Sequence, residues 1–540
     1  MSYSDHFAQA LVDNGLDTMF GVLGDANMYL GQAYVKAPGT RYVAAANEGG
    51  AVLMAAGFAA ATDRVGAATV THGAITNAVS ALFEAARGRR PLVLVAGEAA
   101  RNDRDNLQNL PNREIVASTG ALYHAVRGVD SVYEDVAQGV RLAESSRCPV
   151  VLGVPSDFQR RSCAAQPLEL MNTAMGQLAP NPGSLEEAAA FVSAANRPII
   201  LAGRGAGSPN TVAGLLKLAE RVGAPVATTL RGKGAFANDP FNLGIWGTLA
   251  TPVCLDTVTK CDLVLAFGAS LSPLTTMRGE LMAGKRIVQV DTDPAAIGRY
   301  QSVELGIVAD AEVVARELIG LLDEAEVPAK SFRSADLQRA IAEFDVEDRR
   351  VRQADGPLHI VDALHQINDL CPASRTLSID AGRFAHEALR VLQVDRPDAY
   401  LHALNVSQIG MSLSYGIGGA VGVPDRPSVV VIGDGGFMLG GLAEFNTAVR
   451  YGLDLLVFVI NDGAYGAEYY RFVAEDADPT LTTFDWPDLA DVATSLGGRG
   501  ITVKALGEFD EVKRALEDRH GPVLVDVRLD RDHIPDPGAH

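Results

Sequence analysis

Val429-Val-Val-Ile-Gly-Asp-Gly-Gly-Phe437 is the stretch that decides the reading of this chain. Its four β-branched residues in a row read as a buried strand, Gly433-Asp434-Gly435-Gly436 as the turn that ends it, and Leu439 to Tyr451 as a following helix. In parallel α/β sheets, polar ligands lie beyond the carboxyl ends of the strands. A carboxylate there, with glycines that let a backbone approach and a helix N-terminus behind them, suits a hard cation bound to a phosphate, which makes Asp434 a candidate Mg²⁺ ligand. The next apolar run, Leu455–Ile460, returns to the same edge and is followed by Asn461-Asp462-Gly463. Asn461 can therefore meet Asp434 at one ion. Either motif alone also reads as an ordinary tight turn; the pair on neighbouring strand ends is harder to dismiss.

Outward from this segment, short β-branched runs alternate with Ala/Leu/Glu-rich helical stretches, the signature of βαβ units. Strands are expected at Thr18–Val22, Arg41–Ala45, Gly66–Thr71, Pro91–Ala96 and Pro149–Val154. A second set falls at Pro198–Ala202, Pro225–Thr229, Leu263–Phe267, Arg286–Val290 and Leu305–Val308. The third set is Thr376–Ile379, Ala399–Leu404, Ser428–Ile432, Leu455–Ile460, Gly500–Val503 and Pro522–Val527. A proline-rich linker over 166–182 and a charged, strand-free connector over 323–356 separate the sets. The class is α/β, with three doubly wound parallel-sheet domains over 1–165, 183–325 and 355–540.

The 540 residues are 48% hydrophobic and 21% charged, so sizeable cores can form. Lys and Arg total 46 against 66 for Asp and Glu, a net −20, which disfavours nucleic acid and anionic membrane surfaces and favours a small-molecule partner. No apolar run approaches the roughly 20 residues that span a bilayer, and the N-terminus lacks the basic-then-apolar order of a signal peptide. Five cysteines without a CxxC pair suggest neither a disulfide framework nor a zinc knuckle. A cytoplasmic location is expected.

The pair Gly433-Asp434-Gly435 and Asn461 resembles the metal and diphosphate motif of the thiamine diphosphate enzymes. The resemblance implies that Asp434, Asn461 and the carbonyl of Gly463 hold Mg²⁺, and that Gly433, Gly435 and Gly436 lie against the diphosphate. Asp380-Ala-Gly-Arg-Phe384 resembles a further diphosphate loop, implying Gly382 and Arg383. The family also needs a carboxyl group beside the cofactor's aminopyrimidine, and Asn47-Glu-Gly-Gly-Ala51 with the apolar helix after it closely resembles its glutamate helix. Glu48 is thus the implied acid, and burial there favours sharing a proton with a ring nitrogen. Taken alone, it also reads as a first-turn glutamate stabilised by the helix dipole. Ser407-Gln-Ile-Gly-Met411 resembles the segment that holds the aminopyrimidine, with the Ser407 carbonyl as acceptor, Ile409 as the prop between the rings and Met411 lining the pocket. Without the other motifs Ile409 reads as a core residue. Because the acid and the metal site fall in different thirds of the chain, the resemblance implies sites formed between chains of a homodimer or homotetramer.

Domain order and length resemble the acetolactate synthase and pyruvate decarboxylase branch, and Asp105–Leu110, Pro155–Phe158 and Gln289–Pro294 look most like acetolactate synthase large subunits. Departures bear on substrate. The loop usually written Gly-Pro-Gly is here Thr71-His-Gly-Ala-Ile-Thr-Asn77, without proline, which places His72 near the site either as an acid or base or as a structural strand-end residue. Glu98 stands where synthases often carry glutamine, and Gln108 faces the same cavity. Glu468 lies near a substrate-facing stretch. Leu201-Ala-Gly-Arg-Gly-Ala-Gly207 resembles a loop against which relatives bind FAD. Gly268–Pro273 replaces the expected Arg/Asp cluster and Gly244–Thr248 lacks the usual histidine, so FAD is left open but disfavoured.

The implied activity is an acetolactate synthase-like carboligation or decarboxylation of a 2-oxo acid or related ketone, with thiamine diphosphate and Mg²⁺ as cofactors. Alternatives are a non-oxidative 2-oxo acid decarboxylase, an acyloin lyase, a cyclic-dione hydrolase and, outside enzymes, a catalytically silent regulatory paralogue.

Overall fold

Seventeen strands form three sheets among the residues that the computed structural model describes, 1–103, 105–167, 176–353 and 356–533. Part of the expected linker, 168–175, and the ends of the expected third domain lie outside the described residues. The chain divides into two compact units, one comprising 1–171, 353–388 and 401–540, the other 172–352 and 389–400.

The larger unit holds two parallel sheets. The first orders β1 (Thr18–Gly21), β2 (Arg41–Ala44), β3 (Gly66–Val70), β4 (Leu92–Glu98), β5 (Leu122–Ala125) and β6 (Pro149–Pro155) as β2-β1-β3-β4-β6-β5. The order reverses direction beside β1, the doubly wound arrangement that opens a crevice at the carboxyl ends. In the smaller unit, β7 (Pro198–Ala202), β8 (Val226–Thr228), β9 (Asn242–Ile245), β10 (Leu263–Phe267), β11 (Arg286–Asp291) and β12 (Leu305–Val308) run β12-β11-β10-β7-β8-β9. The second sheet of the larger unit is β13-β14-β15-β17-β16, from β13 (Thr376–Ile379), β14 (Ser428–Gly433), β15 (Leu455–Asn461), β16 (Arg499–Val503) and β17 (Val523–Arg528). Every pairing is parallel.

Two helices join the sheets of the larger unit. In α1 (Glu48–Thr62) every residue from Gly50 to Ala61 is buried, and in α3 (Ser412–Gly422) every residue from Ser412 to Val421 is. A helix that is apolar all round has no solvent face to offer and goes to the interior. The two lie against each other through glycines: a Cβ on Gly57 would overlap the Tyr415 carbonyl and stand 2.8 Å from its Cα, and one on Gly418 would overlap the Met54 carbonyl. Gly57→Ala is expected to lower the melting temperature measurably. Overpacking of about 1–3 kcal/mol or more exceeds the roughly 1 kcal/mol that alanine gains in helix propensity. An unchanged melting temperature would show that the helices separate freely.

Three expectations are corrected. Ala399–Leu404 is no strand: Leu401 N–H donates to the Leu377 carbonyl at 2.8 Å and Ser378 Oγ donates to Leu401 O at 3.2 Å, but no ladder develops before the chain turns at Ser407, φ +55°. The helix expected from Leu439 begins at Asp434, as a helical turn to Gly436, a wider π turn over Phe437–Gly441 and then α4 (Leu442–Arg450). Strands β5 and β9, unforeseen, are edge strands whose mixed burial hides them from a search for continuous apolar runs. The charged connector contains a helix, Ala335–Asp348, capped by Ser334, with Leu337 and Ile341 packed against the cluster around Trp246 and Cys254.

Candidate active site

The carboxyl ends of β13, β14 and β15 carry the buried polar groups Asp380, Asp434, Asn461 and Asp462. Parallel pairing of Gly433 with Ile460 brings the residues that follow them, Asp434 and Asn461, to one edge. Asp434 is 2% exposed, and its Oδ2 accepts from Trp486 Nε1 at 2.8 Å. Burial, and then the neighbouring Asp462 carboxylate, push its carboxyl up to about 7. Burial pushes Asp462 up to about 6, against its bond from Ala464 N–H and the charges of Arg383 and Arg531. Two buried carboxylates disfavoured in their charged form are relieved by a bound cation.

Asn461 is held in one orientation. Its Nδ2 donates to Asp526 Oδ1 at 2.8 Å, which fixes the amide, and Oδ1 accepts from Gly463 N–H at 3.2 Å. Gly463 has φ +63° and its carbonyl accepts from Phe484 N–H at 2.8 Å, leaving one lone pair. Among the described residues no three or more His, Cys, Asp or Glu side chains gather for a metal. The set here is one carboxylate, one amide and one backbone carbonyl, oxygen donors that suit Mg²⁺.

The glycines let neighbouring segments approach closely. A Cβ on Gly435 would stand 2.6 Å from Tyr465 Cε1, one on Gly436 2.5 Å from Asp380 Oδ2, and one on Gly433 3.2 Å from Phe384 Cε1. Gly410, φ +86°, brings the 407–411 loop against Gly436 and Gly440. Ser407 is exposed, Ile409 half-buried, and the Met411 side chain is packed in the core. Gly382 and Arg383 follow β13; Arg383 Nη1 donates to Arg531 O at 3.1 Å and its guanidinium lies 4.9 Å from the Tyr470 ring centroid.

Asp380, which sequence reading passed over, ties these loops together. Fully enclosed, it accepts from Gly410 N–H at 2.6 Å and from Met411 and Ser412 N–H at 3.1 Å, capping α3. Burial pushes its carboxyl up to about 6, while the three backbone bonds pull it down. The folded chain therefore holds this proton better than the unfolded one. The resulting stability is full below the ordinary value of 3.8 and is lost as pH rises through about 6. Relative to Asp380→Asn, the wild-type melting temperature is expected to climb as pH falls from 7 to 4; a difference independent of pH would contradict this.

In the first sheet β2 and β3 flank β1 and β4 lies beside β3, and because all pair in parallel their carboxyl ends share one edge. Glu48 opens α1, with Asn47 as N-cap accepting from Gly50 N–H at 2.6 Å. The burial expected for Glu48 is not found: it is half-buried, because the first turn of α1 opens from the core, and its Oε2 accepts from Asn77 Nδ2 at 3.0 Å. His72 is 3% exposed, Nε2 lies 3.5 Å from Asp25 Oδ1, and Nδ1 is enclosed without a hydrogen-bond partner among the described residues. Gln108 is exposed and lies against Gly73, where a Cβ would be 3.3 Å from its own. It also lines a cavity of about 290 Å³ with Glu98, Asn112 and Tyr123. Glu98 accepts from Tyr123 Oη and from Asn112 Nδ2 at 3.3 Å. Glu468 is exposed on the helix Gly466–Ala474.

The structure thus gathers Glu48, His72, Asn77 and Gln108 on one sheet edge and Asp434, Asn461, Gly463, Gly382, Arg383 and the 407–411 loop on another. Among the described residues no hydrogen bond or ion pair joins Glu48 to the second group. Sequence reading missed Asp380, Asp526 and Trp486. Of these Asp526 left a signal, a lone carboxylate within the apolar run of β17.

Known proteins are similar to the chain along most of its length. The chain is 26% identical to sulfoacetaldehyde acetyltransferase of Alcaligenes xylosoxydans xylosoxydans, over 93% of this chain and 88% of that protein. Similarity at 26% extends over 96% of this chain and 92% of a Pseudomonas aeruginosa protein named "Probable 2-ketoarginine decarboxylase". Acetolactate synthase 2, chloroplastic, of Nicotiana tabacum is 27% identical over 97% of this chain and 81% of its own length. Residues 1–120 match the N-terminal TPP binding domain of thiamine pyrophosphate enzymes, 185–318 their central domain and 380–527 their C-terminal TPP binding domain. With these three domain types matched in order along the chain, it belongs to the thiamine pyrophosphate enzymes.

Proposed function

We propose that this enzyme joins or breaks a carbon–carbon bond beside the carbonyl of a 2-oxo acid or related ketone, with acetolactate synthase-like carboligation as its leading reaction. The observation that carries the reading is the pairing of buried Asp434 with an Asn461 whose amide is held by Asp526. Asp434, Asn461 and the Gly463 carbonyl hold Mg²⁺; Gly433, Gly435, Gly436, Gly382 and Arg383 receive the diphosphate; Ser407, Ile409 and Met411 position the aminopyrimidine. When bound, thiamine diphosphate supplies the carbon nucleophile. Glu48 holds and returns a proton at the pyrimidine edge. His72, with Nδ1 facing no partner, and Gln108 line the substrate side.

Since Glu48 has no bond to the cation edge of its own chain, we assign it to the site of a second copy in a homodimer or homotetramer. The small-molecule substrate and a cytoplasmic setting belong to the same reading. All five cysteines are free, and among the described residues no helix is long and apolar enough to cross a membrane.

Incubation with thiamine diphosphate, Mg²⁺ and pyruvate, with and without an aldehyde acceptor, followed by proton NMR of the products, tests the assignment. A new acyloin is expected. Release of the aldehyde alone would move the enzyme to the decarboxylases, where a proton delivered by His72 completes the reaction. Untouched pyruvate with cofactor bound would overturn the acetolactate-type reading in favour of bulkier 2-oxo acids, and failure to bind the cofactor would overturn the whole.

A further inference from the structure

Two buried carboxylates are used by neither the cation site nor the proton-transfer edge. Glu444, on α4 of the third domain, is fully buried. Its Oε1 and Oε2 accept from Ala46 N–H at 3.1 and 3.0 Å, and Oε1 accepts from Asn47 N–H at 3.1 Å. Thr447 Oγ1 donates to Oε2 at 2.7 Å. The other end of the same helix takes the residues before these: Arg450 Nη2 donates to Ala44 O at 2.7 Å, and Ala44 N–H donates to Tyr451 Oη at 2.7 Å. The segment 44–47 therefore hangs from the third domain up to the residue before Glu48.

The converse contact exists. Glu84, on α2 (Val79–Arg87) of the first domain, is fully buried and accepts from Val406 N–H at 2.9 Å and from Asn405 Nδ2. These residues lead directly into Ser407, Gln408 and Ile409, and Asp380 holds the far end of the loop at Gly410–Ser412. A carboxylate removed from water is costly unless its hydrogen bonds are made. Here each is placed one or two residues before a group that faces the cofactor, and each belongs to the domain that does not carry that group.

We propose that Glu444 and Glu84 are a reciprocal pair of positioning residues, Glu444 setting Glu48 and Glu84 setting the Ser407–Ile409 loop. This rests on the functional reading above for what Glu48 and Ile409 do, but the clamps themselves are testable without it. Loss of a clamp shifts a reacting group by a fraction of an ångström to an ångström, a displacement that can cost up to about 10²-fold in rate.

The experiment uses the full-length chain, wild type, Glu444→Gln and Glu84→Gln. Glutamine keeps the shape and removes the charge that draws several N–H donors at once. Amide hydrogen exchange is first read without cofactor, on peptides covering 44–48 and 403–411. Glu444→Gln is expected to speed exchange in 44–48 by about tenfold or more with 403–411 unchanged, and Glu84→Gln to do the reverse. With cofactor, Glu444→Gln is expected to lower kcat by about 10–100-fold at nearly unchanged KM and cofactor affinity. Glu84→Gln is expected to weaken cofactor binding instead. Tyr451→Phe, which loosens 44–47 without disturbing a buried charge, guards against misfolding and is expected to shift 44–48 in the same direction by less. Unchanged exchange in the targeted segment, or equal loosening of both segments by either variant, would overturn the proposal. A wild type that binds no cofactor while the exchange pattern holds would instead overturn the functional reading and leave the clamps standing.

Discussion

Glu48→Gln is expected to lower turnover by about 10²–10⁴-fold, the usual worth of a positioned acid or base, with cofactor binding and melting temperature close to those of the wild type. Glutamine is isosteric, and its amide oxygen still accepts from Asn77 Nδ2, the one side-chain hydrogen bond of Glu48 among the described residues. Asn47 continues to cap α1, so the helix does not fray. What disappears is a side chain that can take up and return a proton. Turnover, cofactor affinity from tryptophan fluorescence and melting temperature are to be measured on one preparation. Wild-type turnover in the variant would exclude Glu48 as the acid.

Asp434→Asn is expected to abolish Mg²⁺-dependent cofactor binding while leaving the empty protein as stable as before, or more so. The carboxyl of Asp434 is pushed up to about 7 by burial and by Asp462, so the empty site carries a charge that it does not stabilise. Asparagine keeps an oxygen for Trp486 Nε1 and removes that charge. At a hundredfold excess over its dissociation constant, a ligand stabilises the folded state by about 2.7 kcal/mol. The wild type should show that shift in melting temperature with Mg²⁺ and thiamine diphosphate together, lose it on chelation, and the variant should never show it. A variant that keeps a Mg²⁺-dependent shift would place the cation elsewhere.

The parts of the site read from sequence are those with local causes. Asp434 and Asn461 stand out because each follows a continuous apolar strand, and strands in parallel sheets end at one edge. Glycines 435 and 436 stand out by identity, but their reason is not local: the atoms that a side chain would strike belong to Tyr465 and Asp380. The start of the helix at Asp434 was hidden by those glycines, which are poor helix formers yet occupy its first turn because nothing larger fits. Ala399–Leu404 misled for the opposite reason: its apolar residues are buried, as a strand's would be, but it meets β13 too briefly to form a strand.

From the sequence alone come the α/β class, the three sets of parallel strands, the apolar helices α1 and α3 and the meeting of Asp434 and Asn461 at one sheet edge, since periodicity, β-branching and strand-end chemistry are properties of neighbours in the chain. The tertiary structure alone decides which amides the buried carboxylates hold. Glu444 meets Asn47 across 397 positions and Glu84 meets Val406 across 322. A carboxylate in a helix carries no mark of its distant partner. Its acceptors are filled by whichever backbone donors the packing of α1 against α3 brings within hydrogen-bonding distance, and only that packing turns two helical glutamates into the supports of Glu48 and the Ser407–Ile409 loop.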